Sequence, residues 1–163
     1  MKKLILLLLF IPLVSFGQTY KELMSINDLD SFKKVMIENS YEIAYDDTMT
    51  TGDIIYAYNP TRKFSEVFGE KIDSAKWGSY SKDDSWLFQF SDQKTLIDKF
   101  SNYDVIIKNI KSECKYVNIK KYKDIEFVTY NCQESKFDGT IGFAVDGGTA
   151  FIVYFPSEMQ VLR

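Results

Sequence analysis

The order of strand-like and helix-like runs constrains this 163-residue chain more than any other feature. YEIAY (41–45), DIIYAY (53–58), AKWGSY (75–80) and SWLFQF (85–90) alternate or cluster aromatic and β-branched residues as strands do. The same texture returns at 115–120, 125–132, 137–145 and 149–155, and the segment Lys63–Phe68 is a weaker candidate. Asn59-Pro60 ends the second run, because proline lacks the ladder donor. Ser81 to Asp84 and Asp146-Gly147-Gly148 read as hairpin turns. Two stretches have helical spacing instead. Leu29, Phe32, Val35, Met36 and Asn39 mark a helix over roughly 28–40 capped by Asn27 or Asp28, with residues 18–26 as a polar-to-mixed lead-in. Tyr103, Ile106, Ile107 and Ile110 mark a second helix, starting near Asp92 and ending near Ser112.

The order is therefore helix, four strands, helix, four strands. It predicts an α+β fold: two α-β-β-β-β units in one domain, with antiparallel sheet and the helices packed on one face. A shift of 71 places Phe32, Val35 and Met36 on Tyr103, Ile106 and Ile107, Asp53-Ile54 on Asp124-Ile125, and Tyr56 on Phe127. A shift of 64 places Trp77-Gly78 on Ile141-Gly142. These matches suggest duplicated halves, 27–91 and 92–156, although shared fold grammar produces similar patterns.

The chain opens with a leader. Lys2 and Lys3 precede an apolar run from Leu4 to Val14, and Ser15 and Gly17 set small residues at −3 and −1 of a cut before Gln18. Eleven helical residues rise about 16 Å, short of a hydrocarbon core of about 30 Å. Residues 1–17 are thus expected to be an export signal and 18–163 a single exported domain without a transmembrane segment, periplasmic or extracellular.

Export changes how Cys114 and Cys132 are read, since oxidising compartments favour pairing. If the intervening hairpin is centred on Lys123, Cys114 faces Cys132, Tyr116 faces Tyr130 and Ile119 faces Phe127. That register puts Val117, Ile119, Ile125 and Phe127 on one face. A bridge closing a loop of about 19 residues stabilises by about 3 kcal/mol in the chain-entropy model.

Composition removes several chemistries. There is no histidine, so Ser-His-Asp and Cys-His catalysis, HExxH zinc sites and His-ligated haem are excluded. Two cysteines cannot build a Cys-rich zinc or iron–sulfur site. Acidic residues outnumber basic ones 23 to 20, which argues against a nucleic-acid binder. No catalytic residue, metal site or cofactor is assigned.

What remains is a heavy aromatic load of 13 Phe, 11 Tyr and 2 Trp. Core packing accounts for the phenylalanines, while Tyr56, Tyr58, Trp77 and Tyr80 are the candidates for an exposed binding face. Asp46, Asp53 and Asp83 would serve a His-free carboxylate hydrolase only if they converged. Asp46, Asp47, Thr48 and Asp53 miss the EF-hand spacing for calcium. Six lysines between Lys108 and Lys123 read either as an anion-binding patch or as a guarded sheet edge.

The leader MKK…SFGQ and the run YDVIIKNIKSECKYVNI…FVTYNC…GFAV together resemble small secreted proteins of Bacteroidota, a likeness that implies export but brings no activity or functional residues. Tandem α-plus-four-strand units also resemble, by element order alone, secreted inhibitor-like proteins whose sheet grips another protein. The expectation is a non-enzymatic exported module binding a protein or an envelope glycan. The alternatives are the carboxylate hydrolase acting on envelope polymers and a purely structural envelope protein.

Overall fold

The computed structural model describes residues 18–58, 76–90, 102–133 and 138–157. Three helices and eight strands occur among them, in the order α1 (Tyr20–Ser25), α2 (Leu29–Glu38), β1 (Tyr41–Asp47), β2 (Asp53–Tyr58), β3 (Trp77–Tyr80), β4 (Trp86–Phe90), α3 (Tyr103–Glu113), β5 (Lys115–Tyr122), β6 (Ile125–Asn131), β7 (Gly139–Asp146) and β8 (Thr149–Pro156). The strands form one antiparallel sheet ordered β1-β2-β3-β4-β8-β7-β6-β5. Each half is a four-stranded meander, and the halves join where β4 pairs with β8. The expected α+β architecture, with helices on one face, is present. Lys63–Phe68 and the helical reading of 92–101 lie outside the described residues.

The helices start where side chains satisfy free backbone donors. Asp28 caps α2 by accepting from the Ser31 amide at 2.7 Å, and the Ser31 hydroxyl in turn accepts from the Asp28 amide. The lead-in at 18–26 contains a helix that periodicity missed. Thr19 and Glu22 form a reciprocal capping box around α1. Its stripe, Tyr20, Leu23 and Met24, is buried. At α3 the Asn102 side chain makes no cap; its amide donates to the Gln18 carbonyl at 3.2 Å, tying α3 to the segment before α1.

The main core lies between the helices and one face of the sheet. Phe32 of α2 is fully buried, its ring centroid 6.1 Å from Tyr56, 5.4 Å from Tyr80 and 5.7 Å from Phe88. Burying such a ring contributes about 1.5–3 kcal/mol. Gly78 lets α2 press this closely: a Cβ there would sit 2.7 Å from the Met36 methyl and 3.1 Å from the Phe88 ring.

Cys114 and Cys132 form the expected disulfide, with Cα atoms 4.4 Å apart. It joins the C-terminal cap of α3 to the residue after β6, and the Tyr20 hydroxyl of α1 lies 3.5 Å from the Cys114 sulfur. The hairpin register holds at Tyr116↔Tyr130 and then slips by one at a bulge around Val117, so Ile119 faces Val128, and Phe127 faces Lys120. A single extra residue moves every later side chain to the opposite face. Ile125 and Phe127 therefore do not share a face with Ile119. The turn falls on Lys123-Asp124, both with positive φ (+47° and +66°), the conformation of a two-residue primed turn.

The proposed matches between halves fare unevenly. Phe32, Val35, Met36, Ile106 and Ile107 are all buried helix positions. In the strands, however, the shift of 71 lays Tyr56, which meets the helices, on Phe127, which faces away from them. The shift of 64 likewise lays Trp77, opposite Gln89 on the face turned away from the described helices, on the core residue Ile141. The two meanders share strand order but not this residue alignment.

Candidate functional site

Alternation sends half of every strand to the face opposite the helices. There Phe127, Ala144, Val153 and Phe155 form a second buried cluster, packed against half-buried Leu87, Tyr122, Ile125 and Phe151. The rings cover one another edge-on: Phe155 lies 5.9 Å from Phe127 and 6.0 Å from Tyr122. Gly142 makes room for this, because a Cβ there would lie 3.0 Å from the Phe155 ring and from the Phe127 Cβ. No described helix contributes to this cluster.

Across β2, β3 and β4 the same face carries half-buried Ile55, Trp77 and Leu87. Trp77 and Phe151 sit on either side of Gln89 in a continuous cross-strand row, Trp77↔Gln89↔Phe151↔Ala144. A cation is set against the aromatic cluster of this face. The Lys120 ammonium stands 5.0 Å above the Phe155 ring and donates to the Thr140 hydroxyl at 3.1 Å. Burial pulls its pKa below the usual lysine value. The result is a face with a buried centre at Phe127, Val153 and Phe155, flanked by half-buried Leu87, Tyr122, Ile125 and Phe151, and those flanking rings beside an anchored positive charge are suited to non-covalent contact.

The four aromatic candidates divide. Trp77 lies on this face and is half-buried. Tyr56 and Tyr80 do not present an open surface: they are 2% and 4% exposed and pack on Phe32 beneath α2. The Tyr80 hydroxyl donates to Asp84 at 2.5 Å. Tyr58 packs against the same core and pairs with Tyr41, centroids 5.5 Å apart. The reason is parity. Alternation says which residues share a side, but not which side meets the helices. Leu87, Phe151, Phe155 and Phe127 are not among the four, although the spacing of Phe151, Val153 and Phe155 after the glycine turn sets those three on one side together.

The carboxylates serve their own turns. Asp46 accepts from the Thr48 amide (3.1 Å) and hydroxyl (2.8 Å), which hold its carboxyl below the usual range. A general acid needs the opposite shift. Asp83 accepts from the Ser85 hydroxyl at 2.6 Å, and Asp47 from the Tyr45 hydroxyl at 3.3 Å. Among the described residues no group of three or more Cys, Asp or Glu side chains is placed to hold a metal ion. A shallow cleft of about 400 Å³ between α1 and α3 is lined by Tyr20, Lys21, Asn102, Val105, Asn109 and Glu113. No described helix is long and apolar enough to cross a membrane. Comparison with protein-family models, curated proteins and solved structures found no match.

Proposed function

We propose that this protein is an exported, non-enzymatic binding module that holds a protein or a cell-envelope glycan on the sheet face turned away from its described helices. The observation that carries this reading is the presence of half-buried Trp77, Leu87 and Phe151 on a face to which no described helix contributes, the face that also holds the anchored Lys120. Aromatic anchors with a fixed cation supply contact area at low entropic cost. The leader and the disulfide support export, and the lack of histidine supports binding over catalysis.

The test compares immobilised wild type with a Trp77→Ala/Phe151→Ala variant on envelope extracts, before and after protease digestion. Capture lost in the variant, with its thermal unfolding retained, is expected. Protease-sensitive capture then assigns a protein and protease-resistant capture a glycan. Equal capture by both proteins overturns the reading. Tyr56→Ala is unsuitable as a binding variant, because that side chain belongs to the core.

A further inference from the structure

The two edges of the sheet differ in charge. β1, at one edge, carries Glu42, Asp46 and Asp47 and no basic residue. β5, at the other, carries Lys115, Lys120 and Lys121 and no acidic one. Each edge also exposes an isoleucine on the helix side, Ile43 at 48% and Ile119 at 58%. Charges blunt an edge against a like edge, since two β5 strands or two β1 strands side by side would oppose equal signs. They do not blunt β5 against β1.

We propose that a second copy of this chain docks head to tail, its acidic β1 edge pairing with the basic β5 edge of the first. Strand direction permits this. Eight strands alternate in direction, so β1 and β5 run oppositely, and a copy in the same orientation continues the sheet antiparallel with its helices on the same side. Register permits it too. Placing Asp47 opposite Lys115 puts both on the face away from the described helices. The bulges at Ala44 and Val117 then offset each other, and Ile43 meets Ile119 on the helix side. Every matched pair shares a face, as antiparallel pairing requires. The interface is heterologous, so it propagates into a ring or a filament and does not stop at a two-fold dimer.

Sedimentation velocity of the purified protein tests the proposal. Mass should rise with concentration at an ionic strength of about 0.01 M and fall to monomer near 1 M, where the screening length shrinks from about 30 Å to about 3 Å. Lys115→Glu and Asp47→Lys, the two halves of the matched pair, should each weaken self-association at least tenfold. An equimolar mixture of the two variants should restore it, since reversed edges then meet their complements. A wild type monomeric at low salt up to millimolar concentration overturns the proposal. So does association that survives either reversal, or a mixture that stays monomeric.

Discussion

Replacing both Cys114 and Cys132 with Ala tests why the bridge stabilises. The two residues are 18 positions apart, enclosing the β5–β6 hairpin. In the folded state that hairpin is already held by its own ladder, from Lys115↔Asn131 to Tyr122↔Ile125. The bridge therefore acts chiefly by restricting the unfolded chain, which for a loop of this size amounts to about 3 kcal/mol. For a chain of 163 residues the unfolding entropy is about 0.3 kcal/mol per kelvin, so Tm should fall by about 10 °C. Urea unfolding followed by tryptophan fluorescence reads this directly. The variant should lose about 3 kcal/mol, and its urea dependence should steepen, because an unbridged chain exposes more surface when unfolded. A loss below about 1 kcal/mol, or an unchanged steepness, would refute the entropic argument.

Burial raises the hydroxyls of Tyr103 and Tyr154 to about 12. Both native groups bind protons more tightly than their unfolded counterparts near 10, so their stabilisation is intact below pH 10 and is lost as pH rises through 12. Unfolding and tyrosinate absorbance should advance together in that window; stability that falls well below pH 10 would contradict it. Lys123→Asn with Asp124→Gly suits the positive φ values of the β5–β6 turn and should add about 1 kcal/mol in urea unfolding. Asp28→Ala removes the cap of α2 and should cost about 1 kcal/mol by the same assay, whereas Asp28→Ser should recover most of it.

The strands were legible because their aromatic and β-branched runs are short and separated by strong turn signals. The disulfide was legible because the hairpin between its cysteines is local. The helix α1 escaped because six residues give too little periodicity, yet Thr19 and Glu22 spell its capping box in the sequence. The bulge at Val117 leaves no mark in residue types, and with it went the face of Phe127. Tyr56 and Tyr80 were assigned to a binding surface because the side covered by helices is decided by contacts with Phe32, 24 and 48 positions away. The pairing of β4 with β8 joins residues sixty or more positions apart and has no local signal at all.

That pairing also dictates an order of events. Among the described residues the two meanders pair only at β4 and β8, and β8 is the last of the described strands. A polypeptide emerging from its amino terminus can assemble β1 to β4 early, but β4 stays a bare edge until β8 arrives. Its inward residues Trp86, Phe88 and Phe90 make that edge adhesive. Closure awaits the slow search that non-local strand pairs impose, and the half-built sheet is the species most exposed to aggregation. A chain truncated before Thr149 would be left in that state permanently, with an aromatic strand open to any passing partner.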